Sequence, residues 1–339
     1  MSSKIRLGVL GLGRIGKMHI KNIVTMDEFE ILRGCDPFLS PETETEMTAL
    51  GVKQCSKDPE DIFSDKDIDA VVICSTTDTH SDFIIRAAKS GKDIFCEKPI
   101  DHDVGRILEA LKAVKEANVI LQVGFMRRFD RHHAKVRKYV KDGKIGDLEL
   151  LKISSRDPEP PTMKYVSESG GIFVDAMIHD FDQARAITGC EVTEVFATGV
   201  SVCDPEISKY DDFGCASAIL KFENGAMGIL EYSRRGTFGH DQRVEVMGSK
   251  GCAVDDNVYE DNVKFYDKSG CHSSDILWFF PERYKEAYFD ELTCFAKAVI
   301  NRTEPPVNGW DGLQAVLVAE AAAKSAKSGK MEKVEKIVL

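Results

Sequence analysis

The sequence has no uninterrupted run of about 18 apolar residues, the length a membrane-crossing helix requires, which excludes a helical membrane span. It also has no basic excess. Lys plus Arg number 45 against 56 Asp plus Glu, a formal net charge of −11. A chain this acidic is a poor partner for nucleic acid or an anionic membrane unless it carries a local basic patch. The ten cysteines form no Cys-x-x-Cys pair, so a zinc or dithiol signature is missing. Cys35, Cys74 and Cys96 end apolar runs and read as small buried thiols, which suits a reducing cytoplasm. The start Met1-Ser2-Ser3-Lys4 leads straight into an apolar segment, and no signal peptide is expected. Internal repeats and low-complexity stretches are missing too.

What is there is a chain of 339 residues, 43% apolar and 30% charged, long enough for two domains. In the first third, strand-like runs alternate with helical ones. Ile5–Leu10, Glu30–Cys35, Ala70–Cys74, Asp93–Cys96 and Ile120–Val123 read as strands, with helices from about Arg14 to Met26, after Thr79-His80-Ser81-Asp82, and over 103–118. The Thr79–Asp82 spacing predicts a capping box. Continuous apolar strands alternating with helices predict a parallel sheet covered on both faces. Beyond about residue 125 longer half-polar strands follow: Leu148–Ser155, Val192–Ser201, Ala216–Phe222, Ala226–Arg234 and Arg243–Met247. Asn224-Gly225 between two of them signals a hairpin. The expected architecture is a doubly wound Rossmann domain over 1–124 and an α+β domain over 125–339. The latter is built on an open, mainly antiparallel sheet, and an Ala-rich helix over 310–328 is free to pack back on the first domain.

The first strand ends in Gly11-Leu12-Gly13-Arg14-Ile15-Gly16, a G-x-G-x-x-G that opens a helix. In this setting Gly11 permits the tight turn, Gly13 lets backbone approach a pyrophosphate, and Gly16 lets helix and strand pack closely. The helix N-terminus offers N–H groups to phosphate. The plain alternative is an ordinary strand–helix turn. Asp36 ends the second strand, where an acid accepts hydrogen bonds from ribose hydroxyls and repels a 2′-phosphate. The residues after it are Pro37 and Phe38, not Arg or Lys, so NAD is expected over NADP; a solvated turn aspartate is the alternative. Ser75, Thr76, Thr77 and His80 sit at the next carboxyl edge and suit either cofactor approach or a helix cap.

Glu97-Lys98-Pro99 ends a later strand at the same edge. A desolvated lysine beside a nicotinamide can hydrogen-bond a substrate hydroxyl; a surface lysine is the plainer reading. Residues 172–187 are expected to form one amphipathic helix, with Phe173, Met177, Phe181 and Ala184 on one face. Asp175, His179 and Asp182 fall on the other at i, i+4 and i+7. Asp175 could then orient His179 as a general base, although any solvated helix shows such a stripe. Asp, His and Asp are also metal-ligand types, which leaves a metal reading as a lesser alternative, but no further ligand cluster supports it and no metal is expected.

Taken together, Gly11–Gly16, Glu97-Lys98-Pro99 and Gly170-Gly171-Ile172-Phe173-Val174-Asp175-Ala176-Met177-Ile178-His179-Asp180-Phe181-Asp182 resemble the glucose–fructose oxidoreductase and inositol dehydrogenase family. The resemblance runs over essentially the whole chain. Gly124–Asp130, Asp241–Val246, Gly248–Gly251 and Glu282–Tyr284 look closest to its inositol 2-dehydrogenase branch. It implies a Rossmann domain followed by an open sheet that commonly mediates dimers and tetramers. It also implies NAD as cofactor and oxidation of a secondary ring alcohol of a polyol, myo-inositol to its 2-keto product. Lys98, Asp175 and His179 match the family's catalytic lysine and Asp–His pair. Arg127, Asp157, Asp182, His240 and Tyr284 fall where substrate contacts are expected, and Gly11, Gly13, Arg14, Ile15, Gly16, Asp36, Ser75, Thr76, Thr77, His80, Glu97 and Lys98 where the cofactor is expected. One departure stands out: His240 occupies a segment, Phe238-Gly239-His240-Asp241, where this branch usually has Tyr.

Overall fold

The computed structural model describes residues 4–337. It contains two compact units. One runs to Met126 and takes in Glu286–Gln314; the other holds Arg127–Lys285 and the chain from Ala315 onward.

The first unit is built on six parallel strands: β1 (Ile5–Leu10), β2 (Phe29–Cys35), β3 (Gln54–Ser56), β4 (Ala70–Ile73), β5 (Asp93–Glu97) and β6 (Leu121–Gly124). Their order is β3-β2-β1-β4-β5-β6. That is the order of a dinucleotide-binding sheet, whose crevice lies at the carboxyl ends of the strands where the order reverses. The central strands β1, β4, β5 and β6 are short and almost wholly buried, β4 and β6 fully so, as a sheet covered on both faces requires.

The expected break at 124/125 left out the returning segment Glu286–Gln314. Its apolar residues explain the difference. Leu292, Phe295 and Ala296 of the helix Lys285–Asn301 join the core of β1 and β2. Phe295 meets Phe95 edge-on at 5.9 Å. Gly309 and Gly312, at the start of the helix Gly309–Ser328, lie where a Cβ would strike Leu111 and Ile100.

The second unit carries a seven-stranded sheet of β7 (Leu148–Arg156), β8 (Val192–Val200), β9 (Cys215–Phe222), β10 (Met227–Ser233), β11 (Asp241–Gly248), β12 (Gly251–Asp255) and, after a separate exposed hairpin of β13 (Lys264–Asp267) and β14 (Gly270–Ser273), the short β15 (Glu332–Lys333). The order is β12-β11-β7-β10-β9-β8-β15. The Asn224-Gly225 hairpin forms as expected, with Gly225 at φ +86° and β9 antiparallel to β10. One pairing departs from the antiparallel rule: β7 and β10 run parallel. Strands so far apart in the chain are joined through intervening elements, which leaves no local signal for direction.

Candidate active site

Each glycine of the first turn has a separate reason. Gly11 sits at φ +92°, a region that favours glycine, and a Cβ on it would lie 2.5 Å from the Cys74 carbonyl oxygen. A Cβ on Gly16 would lie 2.0 Å from the Gly11 carbonyl oxygen. A Cβ on Gly13 would meet nothing within 4 Å. The protein therefore demands the first and third glycines, while the second faces open space, as a turn that admits a phosphate requires. Gly13 is also the N-cap of the helix Arg14–Ile23 and has no side chain to cap the first turn, whose N-terminal end carries the partial positive charge that suits a phosphate. Arg14 is exposed and Ile15 half-buried at the same turn.

Asp36 is half-buried at the end of β2. Its Oδ2 accepts from Leu12 N at 2.8 Å and its Oδ1 from Phe38 N at 2.9 Å. These bonds fix the carboxylate over the glycine turn and leave each oxygen a further lone pair for a ribose hydroxyl.

At the end of β4, Ser75 and Thr79 share a hydroxyl–hydroxyl bond of 2.6 Å, and a 3₁₀ turn spans Thr77–Thr79. Thr76 is exposed and Thr77 half-buried. The expected capping box does not form. Thr79 has helical backbone angles, and its hydroxyl donates to Thr76 O at 2.7 Å. His80, expected at the cofactor, makes contacts within the protein. Its ring is buried, with Nδ1 2.8 Å from Pro99 O and Nε2 3.1 Å from Ser75 O, so it ties together the loops after β4 and β5.

Lys98 follows β5 directly, half-buried, and the Lys98–Pro99 peptide is cis. The Glu97 side chain turns inward, away from an expected cofactor contact. Its Oε1 lies 2.7 Å from His19 Nε2, and its Oε2 accepts from Lys98 N at 3.3 Å.

In the second unit the expected helix over 172–187 is broken. One turn covers Ile172–Asp175, and the helix Ile178–Thr188 follows. Met177 N reaches back to Ile172 O, which interrupts the regular ladder between Asp175 and His179. The polar stripe is not a solvated face, since His179 and Asp182 are buried and Asp175 is half-buried. Asp175 is half-buried and accepts from the Tyr165 hydroxyl at 2.8 Å.

Asp182, expected at the substrate, is found paired with Arg128. Both of its oxygens accept from the Arg128 guanidinium, at 2.8 and 2.5 Å, and its side chain is 1% exposed. Arg127 and Tyr284 also prove buried. Arg127 donates to Asp180 Oδ1 at 2.5 Å and to Ser155 at 3.2 Å; Tyr284 donates to Gln242 at 3.3 Å. Burial pushes the Tyr284 phenol up to about 12. Asp180, Ser155 and Gln242 join this buried network, and nothing in the sequence sets Asp180 apart from the aspartates beside it.

Asp157 is the open member of this group, with its side chain 29% exposed. The Tyr232 hydroxyl donates to its Oδ2 at 2.5 Å, and His240 Nδ1 lies 3.2 Å from its Oδ1. Burial works against the ionised carboxylate, but His240 and Tyr232 outweigh it and hold Asp157 below the usual range. Burial also pushes the His240 imidazole below its ordinary value, despite Asp157. The pair is thus an anionic acceptor backed by a neutral ring.

Residues 5–125 match the oxidoreductase family with an NAD-binding Rossmann fold, and residues 133–254 match the GFO/IDH/MocA C-terminal domain. A myo-inositol 2-dehydrogenase of Thermotoga maritima is 44% identical over 95% of this chain and 96% of its own length. The chain belongs to the GFO/IDH/MocA family. Its members similar to this chain include a Bacillus subtilis scyllo-inositol 2-dehydrogenase (NAD(+)), 39% identical over 96% of this chain and 95% of that protein. The crystal structure of a Lactobacillus casei scyllo-inositol dehydrogenase with bound cofactor NAD(H) and scyllo-inositol superposes with a TM-score of 0.92. It is 30% identical and covers 98% of this chain and 99% of that one. The chain is thus an oxidoreductase with an NAD-binding Rossmann domain.

Proposed function

We propose that this protein oxidises the C2 hydroxyl of myo-inositol to the 2-keto product. The observation that carries the reading is Lys98 at the carboxyl end of β5, on the same sheet edge as the open Gly13 turn. Bound NAD supplies the hydride acceptor. The glycine turn and the helix N-terminus bind its phosphates, and Asp36 accepts from its ribose. Lys98 hydrogen-bonds the reacting substrate oxygen and stabilises its developing negative charge. His179 takes the hydroxyl proton, with Asp175, held by Tyr165, as its orienting partner. Asp157 accepts from a further ring hydroxyl, and Arg127 with Tyr284 forms the rigid layer behind it.

The names of the relatives support inositol as substrate. His240 in place of the branch's usual Tyr favours a second reading, a neighbouring cyclitol such as the scyllo isomer. Ile219, Met227, Met247 and Val254 lie exposed on one face of the seven-stranded sheet, supporting assembly of copies through that face, in a dimer or tetramer. The ten free thiols support a reducing, cytoplasmic setting. NADH formation on a panel of inositols, aldoses and glucosides tests the reading. Turnover on myo-inositol above the other isomers supports it, and an aldose preferred to every inositol contradicts it.

A further inference from the structure

The returning segment of the first unit brings in an acid that the proposed reaction does not use. Glu291, on the helix Lys285–Asn301, is fully buried. Among the described residues neither of its carboxylate oxygens has a hydrogen-bond partner. One of them lies within 4.8 Å of both the Glu97 carboxylate and a ring nitrogen of His19. His19 is held edge-on to Phe95 and Tyr288 at 5.2 and 5.7 Å, with Nε2 against Glu97 Oε1. Glu97 is fixed on its other side too. A Cβ on Gly124 would stand 3.2 Å from its Oε2, the oxygen that accepts from Lys98 N.

Two carboxylates this close in dry surroundings cannot both ionise. A buried charge without a partner is the more expensive alternative to a neutral acid. Glu97 keeps His19 and the Lys98 N–H as stabilising partners, so the proton falls to Glu291. Burial, and then the Glu97 charge, push the Glu291 acid well up. The other titratable groups around the pair are His19 on the helix Arg14–Ile23, Cys74 after β4, Cys96 on β5, and Cys294 and Tyr288 on the helix of Glu291 itself. Burial pushes the Cys74 and Cys96 thiols well up, which keeps both neutral. A neutral acid needs an acceptor for its O–H, and the Glu97 carboxylate is within reach. Two hydrogen bonds through one water span about 4.6 Å, which fits the separation.

We propose that Glu291 is a positioning residue: it donates a hydrogen bond, directly or through one water, to Glu97 and so holds Glu97 against the Lys98 backbone N–H. The kinetic consequence rests on the reading of Lys98 as catalytic; the state of Glu291 itself does not.

The test uses the full chain with Glu291→Gln and Glu291→Leu. An infrared difference spectrum of wild type against Glu291→Gln at neutral pH is expected to show the carbonyl stretch of a protonated carboxylic acid. Glu291→Leu is expected to lose about tenfold in kcat with KM for NAD changed by less than about threefold. Glu291→Gln, which keeps a donor towards Glu97, restores kcat to within about twofold of wild type. Carboxylate bands in the difference spectrum overturn the proposal, as does one tightly bound divalent metal per chain, or wild-type kcat in folded Glu291→Leu. If Glu291→Leu does not fold, the infrared band and the Gln variant still decide. A wild type that turns over no polyol overturns the dehydrogenase reading alone, since the band is read without substrate.

Discussion

The Cβ that Gly16 lacks would stand 2.0 Å from the carbonyl oxygen of Gly11, so two glycines five residues apart are locked into one turn by mutual contact. Gly13, between them, has no such contact. The two sites should therefore fail differently. Gly16→Ala is expected to lower the thermal midpoint by several degrees, the response to about 1–3 kcal/mol of overpacking. Gly13→Ala should keep the wild-type midpoint and weaken NADH binding about tenfold or more, read by fluorescence titration. Equal loss of stability in both variants would contradict the assignment of Gly13 to the cofactor.

Lys98→Ala and His179→Ala should each cut turnover about 100-fold or more, the usual contribution of a positioned acid–base group. Their NADH affinity should stay within a few-fold of wild type. Single-turnover absorbance with NAD and myo-inositol reads the first quantity, and titration the second. Near-normal turnover in both variants removes the mechanism.

Asp36 separates the two nicotinamide cofactors through charge. Its carboxylate stands fixed by Leu12 N and Phe38 N. Wild type should prefer NAD, and Asp36→Ser should narrow the kcat/KM ratio for NAD over NADP by about tenfold or more, because a repulsive element goes with the acid. A wild-type preference for NADP would overturn the cofactor assignment.

Asp255 in β12 offers a check on electrostatics away from the proposed chemistry. It is buried, and burial, with the Asp130 carboxylate adding to it against Arg283, pushes its acid up to about 7. An acid whose folded pKa is raised holds a proton in the native state that the unfolded chain has released. Stability therefore falls as pH rises from about 4 through about 7, then stays lowered. Asp255→Asn should raise the denaturation free energy by on the order of 2 kcal/mol at pH about 8 and change it little at pH about 4. A gain equal at both pH values would contradict the assignment.

The parts of this molecule legible in sequence are those set by short-range rules. The glycine turn, the buried strands β1, β2, β4, β5 and β6, and the Asn224-Gly225 hairpin each depend on a few consecutive residues. What was not legible depends on burial and distant partners. His80, Asp182 and Tyr284 carry the residue types of a site, but their buried partners Pro99, Arg128 and Gln242 come from distant segments that no local pattern reveals. The break between Asp175 and His179 lies within a continuous helical pattern, and only the Met177–Ile172 bond reveals it. Glu291 stands far along the chain from Glu97, on a helix with no local mark of function.

The most direct test of the central claim is a steady-state assay of wild type and His179→Ala on myo-inositol with NAD, followed by nicotinamide absorbance and by identification of the oxidised sugar. The account predicts sustained NADH formation with the 2-keto product in wild type, and about 100-fold slower formation in the variant. Wild type that binds NADH yet oxidises no inositol would contradict it.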